Sequence, residues 1–454
     1  MVSQRNLVIS GAEVPNVKTL FYYPNVNTLS YNPDDEELLQ ASENFGETLF
    51  LFFKGIRKIR ALKEASNDPT MLYIEPWRTC NLKCSYCYAH AGAEYKQKVP
   101  FSLVESLINK YKFKKTMVYG GDPLIDKKFI SSVIDTTDWN MFFFSTNGIL
   151  MDSAFREKLI ETTSSSVQVS IEPPEWNNRV NSSGKKHYDL VKDKLKLFSG
   201  IRFDFRLVIP SNAPYIPLKK FLDYISDAMG SENFTVSYWP AYEEHLPSWA
   251  DKWIQESLDL MKGPESKKYK NKLLGGSLSD HVVRNGRFFR YFYCNAAYGS
   301  VSVGPDGKLH ACHHNAILEN DYDIISGSSD NLSINKEKVL NLTYEWTSNM
   351  NKDVCATCEA RYICGGGCFL SSAPRSECEF RRLYLPLALA DLSTYRADIV
   401  PELISRSRNV FNKLYSMNDE ISKEVRSKEW ADLLTGKLAI GRAIEMANQF
   451  EADW

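Results

Sequence analysis

From residue 70 onward the chain alternates between two periodicities. Short apolar or β-branched runs ended by turn residues are "LYIEP" from Leu72, "TMVYGG" from Thr116, "MFFFSTNG" from Met141, "VQVSIEPP" from Val167, "IRFDFRLVIP" from Ile201 and "TVSYWP" from Thr235, and they predict strands. Between them, "FSLVESLINKYK", "DSAFREKLIETT", "KHYDLVKDKLKLF" and "PLKKFLDYISDAM" repeat apolar residues at helical spacing with Ser, Asp or Pro near their starts. Repeated strand–helix units imply an α/β fold with a parallel sheet, open or curled into a partial barrel. Ligands of such sheets gather beyond the carboxyl ends of the strands. Ahead of this region, "TLFYYPNVNTLSYN" predicts short strands and "DEELLQASENFGETLFLFFKGI" a helix. After it, residues 251–290 read as a helical or loop bridge containing Trp253, Leu258 and Met261. The tail from Arg381 is helical in pattern, with Leu383, Leu385, Leu387, Leu389 and Leu392. No internal repeat stands outside the strand–helix alternation.

Composition narrows the class. A chain of 454 residues, 43% hydrophobic and 24% charged, fits a globular protein of roughly two to four domains. Its formal net charge of -1 creates no global field toward nucleic acid or an anionic membrane. "MVSQRNLVISGAEVPNV" lacks a charged segment followed by an apolar one, and the runs "LFLFF" and "MFFF" are too short to span a bilayer. The expectation is a cytoplasmic enzyme with neither a nucleic-acid nor a membrane partner.

The ten cysteines change the picture. They are clustered: Cys80, Cys84 and Cys87 lie just after the first strand of the alternating region, and none occurs between residues 88 and 293. The others are Cys294, Cys312, Cys355, Cys358, Cys364, Cys368 and Cys378. Disulfide-rich chains are usually short and secreted, so thiols grouped in a long chain without a signal peptide point to metal ligation. Thiolates select zinc or iron–sulfur clusters. CxxxCxxC leaves the first group one ligand short of a closed tetrahedral site.

That spacing, placed after a strand, resembles the cysteine loop of radical S-adenosylmethionine (SAM) enzymes. The resemblance implies that Cys80, Cys84 and Cys87 hold a [4Fe–4S] cluster whose open iron is chelated by SAM, which an electron from the cluster cleaves to a 5′-deoxyadenosyl radical. Three thiolates suit this, because a fourth would close the iron. "YGGDPL" resembles the family's GGE motif and implies that Gly120, Gly121 and Asp122 meet the methionyl amine, with Asp where Glu is usual. "FSTNG" and "VSIE" resemble segments facing ribose and methionyl groups, which makes Ser145, Asn147, Ser170 and Glu172 cofactor contacts. Tyr86 takes the aromatic position near adenine, and Arg206 is placed to pair with the SAM carboxylate.

"CNAAYGSVSVGPDGKLHAC" and "CATCEARYICGGGC", followed by Cys378, resemble the SPASM extension of radical SAM enzymes that modify peptides and proteins. Paired CxxC sites commonly bind zinc; behind a radical SAM barrel, two auxiliary [4Fe–4S] clusters are favoured. The family pattern assigns Cys355, Cys358, Cys364 and Cys378 to one closed cluster and Cys294, Cys312 and Cys368 to the other. Ten cysteines are one fewer than three clusters take when only the SAM-bound iron lacks a thiolate. The last cluster therefore keeps an open iron or takes a neighbour such as His313, which also suits a catalytic base.

The implied organisation is an N-terminal extension at 1–69, able to bind the leader of a precursor as an added strand or to cover the barrel; a partial barrel of six strand–helix units at 70–250; the bridge at 251–290; the SPASM domain at 291–380; and a helical tail at 381–454. The implied activity is radical cross-linking of a ribosomal precursor peptide, as in cyclophane, ether, thioether or darobactin-forming relatives, with flavodoxin or ferredoxin as electron donor. Oxidation of Cys or Ser to formylglycine in a protein substrate is the second reading. His313 instead of Asp after Cys312, and the absence of a further cysteine, weigh against it. A non-enzymatic iron–sulfur scaffold is the third.

Overall fold

The computed structural model describes residues 7–9, 20–23, 25–64, 69–137, 141–162, 165–242, 245–262, 268, 296, 299–313, 325–326, 331–338, 358–364, 376–383, 385 and 400–449. Cys294, Cys355 and Cys368 lie outside the described residues, as do Leu387, Leu389 and Leu392.

Three short strands, β1 (Leu7–Ile9), β2 (Leu20–Tyr23) and β3 (Thr28–Ser30), form an antiparallel sheet and are followed by helices α1 (Glu36–Asn44) and α2 (Gly46–Glu64). Then come β4 (Met71–Ile74), β5 (Lys83–Cys84), α3 (Phe101–Tyr111), β6 (Lys115–Val118), α4 (Lys127–Thr136), β7 (Met141–Thr146), α5 (Ser153–Glu161) and β8 (Ser165–Ser170). The chain continues with β9 (Arg179–Val180), α6 (His187–Val191), β10 (Phe203–Ile209), α7 (Leu218–Met229), β11 (Val236–Pro240), α8 (Ala250–Lys262), β12 (Ser300–Val303) and β13 (Leu309–His310).

All six expected strands form, and they pair in parallel in chain order: β4, β6, β7, β8, β10, β11. Alternation does the local work: in β7, Phe142 and Phe144 are buried between partly exposed neighbours. In α7, Leu218, Phe221, Leu222 and Ile225 bury one stripe, and Gly230 ends the helix at φ 61, a left-handed conformation that glycine adopts without strain.

The sheet extends beyond the expected six. β12 pairs in parallel with β4 on its other side, Ser300 opposite Met71 through Val303 opposite Ile74, and β13 folds back on β12. The segment read as the start of a separate C-terminal domain thus continues the barrel sheet. Its serines and valines are buried in the same core as the barrel.

A second core joins the two ends of the chain. The helices Val400–Ser416, Asn418–Val425, Lys428–Leu434 and Ile440–Gln449 pack on α1 and α2, burying Phe45, Phe52, Phe411, Ile421 and Trp430. Trp430 stacks on Phe52 with ring centroids 5.4 Å apart, and a Cβ on Gly55 would lie 2.1 Å from the Trp430 ring. Lys58, fully buried, donates from Nζ to the carbonyls of Leu433 and Leu434 at 2.9 and 2.6 Å and so caps the helix that carries Trp430.

Candidate functional site

The three-cysteine loop hangs from the carboxyl end of β4 and is locked to the turn after β6 by backbone contacts. The Gly121 N–H donates to Trp77 O at 3.1 Å and the Asp122 N–H to Thr79 O at 3.0 Å. The Trp77 indole N–H donates to Asp122 O at 2.9 Å. This approach requires both glycines: Gly120 sits at φ 133, and Cβ atoms built on Gly120 and Gly121 would lie 2.4 Å from Trp77 O and 1.9 Å from Thr79 O. Within the loop, Cys84 lies in β5, which pairs with β9 so that Cys84 faces Arg179. Backbone N–H groups of Leu82 and Ala91 donate to the sulfurs of Cys80 and Cys87, each at 3.4 Å.

All three cysteines line one cavity of about 330 Å³ at the carboxyl end of the sheet. That size is in the range of sites for small ligands and cofactors. Burial pushes the Cys80 thiol up to about 12 and Cys84 up to about 11. A bound cation would reverse this, because a coordinating thiol loses its proton outright. Among the described residues no three His, Cys, Asp or Glu side chains converge on a single ion. The ligands of a four-iron cluster attach to separate irons and do not need to converge, so the thiol set fits a cluster better than one zinc.

Gly120, Gly121, Ser145, Asn147, Ser170, Tyr86 and Arg206 also line the cavity, as the motifs led one to expect. The two acids do not. Asp122 is fully buried, and its carboxylate accepts from the Leu124 N–H at 2.9 Å, the Asn147 N–H at 2.8 Å and the Thr146 hydroxyl at 2.9 Å. Burial raises it to about 6, with the Asn147 and Leu124 bonds opposing. Glu172 accepts the Tyr86 hydroxyl at 2.8 Å and the Arg179 backbone N–H at 3.2 Å, with the Arg179 guanidinium 3.7 Å away. Asp122 thus ties the turns after β6 and β7 together, and Glu172 braces the cysteine loop from behind the wall. Arg179 was missed by sequence reasoning. It is buried, lines the cavity, and donates from Nε to the Tyr86 hydroxyl at 2.5 Å. Its only sequence signal is its distance from "VSIE", which does not reveal the pairing with Cys84.

An aromatic part of the lining gathers around His313, with Tyr73 from β4, Tyr88 from the cysteine loop and Tyr119 from the turn after β6. His313, one residue after the buried Cys312, lines the cavity with ring centroids 4.9 Å from Tyr119, 5.1 Å from Tyr73 and 6.2 Å from Tyr88. The Tyr119 hydroxyl shares a hydrogen bond with Ser302 at 2.9 Å, which fastens β6 to β12. These tyrosines were not singled out from the sequence, because aromatic residues beside a strand usually read as core. Of the later cysteines, Cys358 and Cys364 flank the turn and short helix Arg361–Cys364, and Cys378 lies in the helical residues 376–383. Arg361 donates to Asn25 Oδ1 at 2.9 Å, so this segment also touches the N-terminal unit.

Parallel strands present a three-cysteine loop and a glycine-rich turn to a shared cavity at their carboxyl ends, the architecture of an α/β fold. Residues 74–218 match the family described as the Radical SAM superfamily. The chain is similar to histidine-tagged anSMEcpe with bound AdoMet, at 19% identity and a TM-score of 0.52, covering 77% of this chain and 98% of that one. It is also similar to native anSMEcpe with bound AdoMet and the Cp18Cys peptide, at 18% identity and a TM-score of 0.51, covering 75% and 99%. At such identity the likeness is one of fold. Among curated proteins, an uncharacterized protein of Archaeoglobus fulgidus is 28% identical over 139 residues, 30% of this chain and 33% of that protein. The probable GTP 3',8-cyclase of the same organism is 26% identical over 106 residues, 23% and 36% respectively. The chain thus spans about a third of the length of each curated relative. No described helix is long and apolar enough to cross a membrane.

Proposed function

We propose that the protein is a radical SAM peptide maturase that abstracts hydrogen from a ribosomal precursor peptide and forms a cross-link, probed first at an aromatic side chain. The observation that carries this is the shared cavity, which Cys80, Cys84, Cys87, the glycine turn and His313 all line. Cys80, Cys84 and Cys87 would hold a [4Fe–4S] cluster, which when bound would supply the electron for reductive cleavage of SAM.

The chain's residues do the rest. Gly120 and Gly121 let the backbone approach the methionyl group. Ser145, Asn147 and Ser170 offer hydroxyl and amide contacts from the strand ends, and Tyr86 closes the adenine side. Arg206, whose buried Nε has no hydrogen-bond partner among the described residues, pairs with the carboxylate. Asp122 and Glu172 hold that wall in place without touching the cofactor. His313, across the cavity, accepts a proton as the new bond forms. Two auxiliary clusters complete the assignment, one on Cys355, Cys358, Cys364 and Cys378, the other on Cys294, Cys312 and Cys368. Segment 291–380 is then a SPASM domain, 1–69 a leader-binding or covering unit, and flavodoxin or ferredoxin the electron donor in a cytoplasmic setting. The bound peptide in one anSMEcpe structure supports a peptide substrate. Formylglycine formation is less well supported, because the group that follows Cys312 and reaches the cavity is an imidazole, not a carboxylate.

Anaerobic reconstitution tests the reading. The protein should bind roughly twelve irons, as three cubane clusters require, and convert SAM and reductant to 5′-deoxyadenosine. Tightly held zinc with about four irons would remove the SPASM assignment, and intact SAM would remove the enzyme altogether. His313→Ala should keep all iron and all SAM cleavage while slowing modification of the precursor peptide. Loss of about four irons in that variant would instead make His313 a ligand and overturn its role as base.

A further inference from the structure

Arg381 was not singled out by any motif, yet it occupies an unusual position. It lies in the helical residues 376–383 and is 2% exposed. One guanidinium nitrogen, Nη1, is 2.7 Å from Cys364 Sγ and 3.3 Å from the Cys364 carbonyl. The other, Nη2, is 2.5 Å from Oε1 of Glu377, itself 2% exposed. The face of the guanidinium lies over the Trp239 ring, 5.2 Å from its centroid, and Trp239 lines the cavity.

A buried cation is costly unless paired, and here it is shared between a carboxylate and a sulfur. A charge-assisted hydrogen bond to the anionic sulfur of a ligated cysteine is about twice as strong as a neutral one. Hydrogen bonds and charges beside a ligating sulfur set the reduction potential of the cluster it holds. An arginine fixed by Glu377 at one nitrogen has little freedom to leave the sulfur at the other.

We propose that Arg381 is the positioning residue that sets the reduction potential of the group held by Cys364. It does so through its bond to the sulfur, while the same guanidinium carries the Trp239 wall of the cavity. This rests on the reading of Cys355, Cys358, Cys364 and Cys378 as cluster ligands. Glu377 opposes it by drawing on the same positive charge.

The test is potentiometry with EPR detection on the reconstituted holoenzyme, with iron counted in parallel. Arg381→Met removes a positive charge from beside the sulfur, so the reduced, more negative state is disfavoured and one midpoint potential should fall. The expected change is about tenfold in the reduction equilibrium, or about 59 mV for a one-electron couple. Arg381→Lys should restore much of the shift. Glu377→Gln frees the guanidinium for the sulfur and should move the same midpoint upward; it stands as an independent test if Arg381→Met does not fold. Full iron content with every midpoint unchanged in Arg381→Met or in Glu377→Gln would overturn the proposal alone. Zinc in place of the C-terminal clusters in the wild-type protein would overturn the underlying assignment, and the proposal with it.

Discussion

The Cys80→Ala, Cys84→Ala, Cys87→Ala triple variant should form no 5′-deoxyadenosine while retaining most of its iron. The three thiols sit on one wall of the cavity, in a loop whose fold is held by backbone bonds to Gly121 and Asp122, so removing the sulfurs leaves the protein scaffold intact. The loss should be complete, because the electron that splits SAM has no other entry in this assignment. The remaining iron, about two thirds of the wild-type load if two auxiliary clusters are present, separates this outcome from general unfolding. SAM cleavage at the wild-type rate in the triple variant, followed by chromatography of the nucleoside, would end the radical SAM reading of this loop.

Gly121→Ala should come next in effect, although it touches no sulfur. The added methyl would lie 1.9 Å from the carbonyl oxygen of Thr79, the residue before Cys80, and 2.4 Å from Thr79 C. Backbone atoms cannot swing aside as a long side chain would, so the cysteine loop itself must move. Overpacking of this kind costs about 1–3 kcal/mol. The functional cost should be larger, since a displacement of about 1 Å in a reacting assembly lowers rates by about a hundredfold. The expected result is a soluble protein with a modestly lower melting temperature and SAM cleavage reduced by about that factor. An unchanged rate would show that the close approach of the two loops does not position the site.

What could be read along the chain and what could not divide by range. The strand and helix periods gave the six strands and their parallel sheet, because alternation and helical spacing are local consequences of which faces are buried; the order of the strands came from the structure. The site was legible wherever a motif sits directly at a strand end: Cys80, Cys84, Cys87, Gly120, Gly121, Ser145, Asn147, Ser170 and Arg206 all line the cavity. Asp122 and Glu172 sit in equally suggestive motifs but point into protein. Their direction is decided by donors on other segments, Asn147 and Thr146 for one, Tyr86 and Arg179 for the other.

By itself, then, the amino-acid sequence determined a parallel α/β sheet, a cysteine loop at its carboxyl end and a cysteine-rich C-terminal region, because each depends on spacing within a few residues. Only the tertiary structure decided that β12 extends the barrel sheet beside β4, that His313 lines the same cavity as the cysteine loop, and that Arg179 pairs with the strand of Cys84. It alone decided that His313 shares one aromatic cluster with Tyr73, Tyr88 and Tyr119, that Arg381 lies on Cys364, and that the first helices and the last share a core around Trp430. The physical reason is the same in every case. A buried charge or aromatic ring takes the partner that satisfies or fills its surroundings, and that partner comes from whichever segment the sheet and its helices bring close, at no spacing the chain records.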